Sequence, residues 1–141
     1  MVIDAISNGI VLDHIRAGRS MELYHILNLD KLQCSVAVLK NVTSRKMGRK
    51  DIIKIDEIID LNFDVLGYVD PGITVSIVRN GKLDRKFNVE LPERVTNVIR
   101  CKNPRCITST EQELPQIFKL TDREKRVYRC IYCESRAKGG D

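Results

Sequence analysis

Two pairs of cysteines constrain the fold of this chain more than any other feature. Four residues separate Cys101 from Cys106, two separate Cys130 from Cys133, and 23 lie between the pairs. Each short loop can direct two sulfurs at one point, and the intervening segment can fold back to unite the pairs. Because thiolates are soft ligands and a closed set of four leaves no open coordination position, the spacing predicts one structural zinc per chain. Buried unligated cysteines or two disulfides are the alternatives.

The cellular compartment implied by the sequence argues against disulfides. The N-terminal segment MVIDAISNGIVLDHI lacks the basic start and the small-residue cleavage site of a secretory signal, and no apolar run is long enough to span a membrane. Thiols remain reduced in the cytosol. We therefore expect a cytoplasmic protein with no membrane partner.

The charge of the chain limits the classes of ligand. The formal net charge is +5, and zinc bound by four thiolates would lower it to about +3. Such modest basicity suits phosphate ligands or an acidic protein partner. Aromatic residues make up only 5% of the chain and Trp is absent, so stacking platforms for single-stranded nucleic acid are scarce. The basic segment 45–50 is short and lacks aromatics, so we expect no nucleic-acid partner.

The apolar pattern of the first ninety residues predicts an α+β fold. Asn80-Gly81 lies between two alternating runs and tolerates the positive φ angles of a type I′ hairpin turn. Together the elements form a ferredoxin-like antiparallel sheet with an extra strand and with two helices on one face. In order, they are a strand ending near Ile15, a helix begun by Ser20, strands over 33–39 and 51–58, a helix capped by Asn62, and a hairpin over 73–86.

A domain boundary is predicted at Glu90-Leu91-Pro92-Glu93. Pro92 disfavours a helix before it and limits strand pairing. All four paired cysteines follow this boundary, in a segment too short for a secure core without a metal. The sequence thus predicts two domains, 1–92 and 93–141, of which the second is a small β-rich zinc-binding domain.

No nucleophile–base motif or Gly-rich phosphate loop is present. The remaining candidates for a ligand site are isolated polar residues. Asp13-His14 follows an apolar run. The pair is either a solvated strand end or a ligand site, in which Asp13 accepts from ribose hydroxyls and His14 donates to a phosphate. Lys54 interrupts an isoleucine run, and Lys82, Arg85 and Lys86 follow the hairpin turn. Each of these cations either reaches solvent or meets a bound anion.

Three segments together resemble a known family. They are VLDHI at 11–15, MGRKDIIKI at 47–55, and ELPERVTNVIRC at 90–101 followed by the cysteine pairs. Over nearly its whole length the chain resembles the regulatory chain of aspartate carbamoyltransferase. The resemblance implies a non-catalytic allosteric subunit in pyrimidine biosynthesis. Its N-terminal domain would bind the nucleotide effectors CTP and ATP, with UTP as a third candidate, and pair with a second regulatory chain. Its zinc domain would contact the catalytic chain, so that regulatory dimers bridge catalytic trimers.

The resemblance also assigns roles to individual residues. It implies ribose and phosphate contacts for Asp13 and His14, a position near base and ribose for Lys54, and a triphosphate contact for Lys86. The remaining implied residues are Ile6, Val11 and Val78 around the base, and Cys101, Cys106, Cys130 and Cys133 as zinc ligands.

Departures from the family pattern bear on the effectors. The chain starts several residues later than members that bind a second nucleotide, so CTP–UTP synergy is not expected. Gly81 stands where one member has a tyrosine beside the base, and Ser76 where it has an asparagine. The effector preference and the sign of the ATP response therefore stay open.

Two other classes of protein compete with this interpretation. A zinc-ribbon nucleic-acid-binding protein would show an affinity for RNA or DNA that falls steeply with salt. A thiol redox enzyme would use Cys130 and Cys133, although one metal site accounts for both cysteine pairs.

Overall fold

The computed structural model describes residues 7–137, and the chain divides into two compact units, residues 1–90 and 91–141. The first unit alternates strands and helices in the order that the sequence predicts. Its elements are β1 (Gly9–Arg16), α1 (Ser20–Ile26), β2 (Val36–Ser44), β3 (Gly48–Ile55), α2 (Phe63–Val69), β4 (Thr74–Arg79) and β5 (Lys82–Asn88), with a 3-10 turn at Leu29–Lys31.

The five strands of the first unit form one sheet in the order β2-β3-β1-β4-β5, and every neighbouring pair is antiparallel. The first four strands have the split βαβ arrangement of a ferredoxin-like fold, and β5 adds an edge strand beside β4. The predicted fold class is therefore confirmed.

Both helices cover the same face of this sheet. Leu12, Ile53 and Val75 from the three central strands share one buried apolar cluster with Leu23 of α1 and Leu66 of α2. Side chains alternate between the two faces of a strand. The residues between these core positions therefore lie on the opposite face, which we call the open face.

The two helices begin in different ways. Asn62 caps α2 as predicted, because its Oδ1 accepts from the amides of Asp64 at 3.0 Å and Val65 at 3.4 Å. The prediction that Ser20 caps α1 is wrong, since Arg19 holds the cap position and makes no side-chain cap bond. Instead, the carboxylate of Asp51 on β3 accepts from the Ser20 amide at 3.2 Å. A tertiary contact thus replaces the local cap.

The hairpin turn at Asn80-Gly81 is confirmed by its backbone angles. The φ angles are 52° at Asn80 and 75° at Gly81, as a type I′ turn requires. The turn joins β4 to β5 in antiparallel register. A register shift between Ile77 and Val78, where β5 has one extra residue, then places both Leu83 and Lys86 on the open face.

The second unit is a three-stranded antiparallel sheet with long connections. Its strands are β6 (Arg94–Thr96), β7 (Ile117–Asp122) and β8 (Val127–Cys130), in that spatial order. A second 3-10 turn at Ile107–Ser109 lies between β6 and β7. Across residues 7–137 there is no helix both long and apolar enough to cross a membrane.

Candidate metal centre and effector site

The four paired cysteines converge on one point of the second unit. Their sulfurs all lie within 4.8 Å of one another. Close contacts join the two pairs, at 3.6 Å between Cys101 and Cys133 and 3.8 Å between Cys106 and Cys130. Zinc–sulfur bonds of about 2.3 Å place tetrahedral sulfurs about 3.8 Å apart, whereas a disulfide bond is about 2.05 Å long. The geometry therefore fits a tetrahedral metal centre and excludes disulfides within the cluster.

Local hydrogen bonds shape the loops that present the sulfurs. The Cys106 carbonyl accepts from the Ser109 amide at 2.9 Å, and the Cys130 carbonyl accepts from the Glu134 amide at 2.9 Å. Thr108 Oγ1 donates to the Cys106 sulfur at 3.1 Å. A hydroxyl that donates to a ligand sulfur stabilises its thiolate form and orients it. The second unit therefore has an outer shell suited to thiolate ligands.

Burial disfavours the ionised form of two thiols in the cluster, Cys101 and Cys130. Burial raises the pKa of the Cys101 thiol to about 12 and also raises the pKa of Cys130. At Cys133 burial acts in the same direction, but hydrogen bonds with Ser135 and Asn103 outweigh it and lower the pKa to about 6. One thiolate therefore forms readily, whereas Cys101 and Cys130 need the positive charge of a metal to lose their protons.

A row of four side chains crosses the open face of the first unit. Lys54 on β3 is paired with Val11 on β1, Val11 with Ser76 on β4, and Ser76 with Lys86 on β5. Directly paired residues of an antiparallel sheet point to the same face. Three inter-strand steps separate the two lysines by about 14 Å. Neither lysine forms an ion pair with any part of residues 7–137.

Asp13 and His14 reach the same face through a β-bulge. Leu12 pairs with Ile53 and Ile15 with Asp51, so two residues of β1 oppose one residue of β3 between these pairs. His14 has a φ angle of 57°. A bulge of this kind re-aims side chains inside a strand. The pair therefore lies inside β1 and not beyond its end, and both side chains are half-buried.

The carboxylate of Asp13 is held ionised. Burial acts to raise its pKa, but hydrogen bonds with Lys50 and with the His14 amide outweigh burial and lower it. Both contacts use Oδ1, at 3.0 Å to Lys50 Nζ and 2.6 Å to the His14 amide nitrogen. Oδ2 thus has no partner among the described residues. It is available to accept from a ligand hydroxyl.

A hydrogen-bond chain orients the ring of His14. Thr74 Oγ1 donates to Asn88 Oδ1 at 2.9 Å and lies 3.0 Å from His14 Nδ1. Because the single hydroxyl proton of Thr74 goes to Asn88, His14 Nδ1 must carry a proton and donate. Nε2 makes no hydrogen bond within residues 7–137, and with Nδ1 already donating it can donate to a ligand only as part of an imidazolium ring. A phosphate group is a suitable acceptor for it.

The other predicted effector residues are placed as follows. Val78 lies opposite Gly9 on β1 and Leu83 on β5, one position further along the open face. Ile6 lies outside the described residues. Thr74, Asn88 and Leu83 were not singled out from the sequence, and Lys50 was considered only as part of the basic segment 45–50. Their contacts depend on strand register, and no local motif marks them.

Fold and site together define a two-domain protein, with an α+β domain that has a cationic open face followed by a small metal-binding domain. Residues 1–90 match the family model for the aspartate carbamoyltransferase regulatory chain, allosteric domain, and residues 93–141 match its metal binding domain. The chain belongs to the aspartate carbamoyltransferase regulatory chain family, as the sequence resemblance predicts.

Similar proteins span the whole chain. It is 50% identical over 135 residues to the aspartate carbamoyltransferase regulatory chain of Clostridium tetani, covering 95% of this chain and 94% of that protein. The regulatory chain of Clostridium botulinum is 45% identical over 141 residues, covering 100% and 97%. That of Bifidobacterium longum is 42% identical over 138 residues, covering 98% and 99%. These relatives are named as regulatory and not as catalytic chains, and the nucleic-acid-binding alternative is not favoured.

Proposed function

We propose that this chain binds nucleoside triphosphates on the open face of its first domain and transmits their binding to the catalytic chain of aspartate carbamoyltransferase. The row of Lys54, Val11, Ser76 and Lys86 carries this proposal, because two unpaired lysines bracket an apolar and a polar position on one surface. A bound triphosphate supplies negative charges that can pair with these two lysines. CTP and ATP are the proposed effectors, with UTP as a third candidate.

Each part of the nucleotide finds suitable chemistry on this face. Asp13 accepts from ribose hydroxyls through Oδ2, and Lys54 lies close enough to meet base or ribose. His14 and Lys86 contact phosphate oxygens as donors. Val11 and Val78 provide the apolar surroundings of the base, and the family resemblance assigns the same role to Ile6. The proposed contacts neither break nor form a covalent bond, in keeping with a regulatory role.

The strands that hold the effector also hold the helices. On β3, Lys50 pairs with Asp13 on the open face, while the next residue, Asp51, binds the amides of Gly18, Ser20 and Asn41 on the other face. A ligand that shifts β3 therefore moves the start of α1 and the edge strand β2 as well. CTP and ATP differ in base size and can prefer different strand positions, which is the differential affinity that allosteric control requires.

The second domain is proposed to hold one structural zinc and to dock on the catalytic chain. The all-thiolate ligand set suits zinc, and a closed set of four leaves no position for a substrate. The first domain is proposed to pair with a second copy, so that three regulatory dimers bridge two catalytic trimers. A reducing compartment keeps the thiols available, and we propose that the complex works in the cytoplasm.

Calorimetry with CTP and with ATP tests the nucleotide site. Lys86→Ala removes one charge-assisted contact, so both affinities should fall about tenfold or more. Lys31→Ala is the matched control, because it removes the same charge from the turn after α1. Equal affinities for the two variants would remove Lys86 from the site.

Light scattering tests the assembly. The metal-loaded chain is mixed with catalytic trimers of aspartate carbamoyltransferase from the same source. A complex of two trimers and three regulatory dimers, with CTP-sensitive activity, is expected. A folded, metal-loaded chain that forms no complex would refute the proposed function.

A further inference from the structure

A row of cations crosses the outer face of the three-stranded sheet in the second unit. Arg94 on β6 pairs with Lys119 on β7, and Lys119 pairs with Arg129 on β8. All three side chains are exposed, whereas the neighbouring pairs, Val95 with Phe118 and Phe118 with Cys130, are buried on the inner face. We call these three residues the cation row.

The cation row carries an electrostatic cost in the isolated chain. Like charges directly opposite each other on neighbouring strands repel and destabilise a sheet. Arg94 and Lys119 form no ion pair within residues 7–137, and Arg129 donates only to the carbonyl oxygen of Glu134, at 3.1 Å. Within residues 7–137, no salt bridge offsets the repulsion within the row.

A groove beside the row adds to its positive character. It encloses about 490 Å³ and is lined by Glu93, Arg94, Lys119, Leu120, Thr121 and Arg123. The guanidinium of Arg123 is fixed at one end by donating to the Leu91 carbonyl at 3.3 Å. Cations outnumber anions in this lining by three to one. The surface is therefore suited to receive carboxylates.

We propose that the cation row is the surface of the second domain that engages an acidic segment of the catalytic chain. This inference rests on the proposed function, which requires such a contact. Arginine guanidinium groups bind carboxylates through two parallel hydrogen bonds. A partner carboxylate seated between Arg94 and Lys119, or between Lys119 and Arg129, replaces a repulsion with two attractions.

The surroundings of the cation row favour a protein over a nucleic acid. Ile117 pairs with Thr96 beside the row, and the exposed Ile131 donates its amide to the Ile117 carbonyl at 3.1 Å. Arginines next to apolar side chains are typical of protein interfaces. Proteins that bind single-stranded nucleic acids instead stack the bases on exposed aromatic rings. Of the aromatic residues in the second unit, Phe118 and Tyr128 are buried and Tyr132 alone is exposed, so the surface offers no run of stacking platforms.

Lys119→Glu tests the proposal because it should act in opposite directions on folding and on binding. In the isolated chain the new carboxylate lies between Arg94 and Arg129, so the melting temperature should hold or rise. In the complex it meets the acidic segment, so affinity for catalytic trimers should fall about tenfold or more. The loss should shrink at high salt, because salt screens the repulsion.

Lys125→Glu is the matched control. It makes the same charge change on the exposed connection between β7 and β8, away from the cation row. Wild type and Lys125→Glu should bind trimers alike. If Lys119→Glu binds as tightly as Lys125→Glu while the wild type assembles, the inference is overturned and the proposed function stands.

Two further outcomes separate the remaining explanations. If Lys119→Glu proves unstable, Lys119→Gln and Arg94→Gln are compared in metal-loaded chains, and undiminished binding by both overturns the inference. If the wild type binds single-stranded RNA instead of catalytic trimers, and Lys119→Glu abolishes RNA binding, both the inference and the proposed function are overturned.

Discussion

The two units of this chain are stabilised by different means. In the first, strands and helices share one apolar cluster, which is buried between the five-stranded sheet and the two helices. In the second, three short strands bury few apolar side chains, chiefly Val95, Phe118, Val127 and Tyr128, next to the cysteine cluster. Small domains bury too little surface to be stable without a staple. In the second unit, where the apolar core is small, we expect the metal and its four ligands to stabilise the fold.

The two candidate sites differ in the same way. The sulfurs come from two short loops, so each pair of ligands is local in sequence. The effector residues come from β1, β3, β4 and β5 and meet only through strand pairing. We therefore expect the second unit to need its metal in order to fold, and the first unit to fold without a ligand at its candidate effector site. Changes that act on one unit and spare the other test this difference.

Loss of the metal should unfold the second unit alone. Structural zinc contributes about 10–16 kcal/mol of apparent folding free energy in small zinc domains. Removing it with a chelator, or replacing a ligand by Cys106→Ser, should expose residues beyond 90 to proteolysis while the first unit stays protected. Cys34→Ser is the matched control, because Cys34 lies outside the cluster and packs against the first core. Simultaneous loss of both units would refute the separation.

A core truncation in the first unit should give the converse result. Leu12 is fully buried in the central strand, and Leu12→Ala should lower the free energy of unfolding of this unit by about 2–5 kcal/mol. The metal content, measured by elemental analysis, should not change. Leu83→Ala is the control, since Leu83 is 59% exposed, and it should have little effect on stability.

Asp51→Asn should weaken the first unit in a pH-dependent way. Asp51 is fully buried, and burial acts to raise its pKa, but hydrogen bonds from Ser20, Asn41 and Gly18 outweigh it and lower the pKa. The folded pKa therefore lies below the unfolded value of about 3.9. The stabilisation is full above that value and is lost as the pH falls through the folded pKa.

Urea unfolding of the first unit at pH 7 should show a loss of about 2–3 kcal/mol in Asp51→Asn, because charge-assisted hydrogen bonds are lost. The difference between wild type and variant should narrow toward pH 3. Metal binding at pH 7 serves as the internal control and should be unaffected. A difference that stays constant with pH would contradict the role of the ionised carboxylate.

Removal of the α2 cap should produce the smallest effect. Asn62→Ala takes away the side-chain acceptor for two helix amides and should cost about 1 kcal/mol. Thermal unfolding followed by circular dichroism should show this loss in the first unit only. Asn62→Asp keeps the acceptor and should restore stability, whereas an equal loss in both variants would point to something other than the cap.

Much of the first unit could be predicted because its signals are local. Asn80-Gly81 specifies its own turn, and Asn62 caps the helix that follows it. The prediction for Ser20 failed because the acceptor for its amide is Asp51, which lies 31 positions away in the sequence. A cap supplied across the fold leaves no mark in the residues next to the helix.

The sequence by itself determined the metal centre and the order of strands and helices. The cysteine spacing specifies pairs of ligands that are close together in the sequence. Apolar periodicity specifies which face of each element is buried. Only the tertiary structure decided the register that aligns Lys54, Val11, Ser76 and Lys86, the bulge at Asp13-His14, and the cation row of the second unit. Strand register is set by long-range pairing and by the packing of a whole sheet. Contacts of that kind exist only after distant segments have come together.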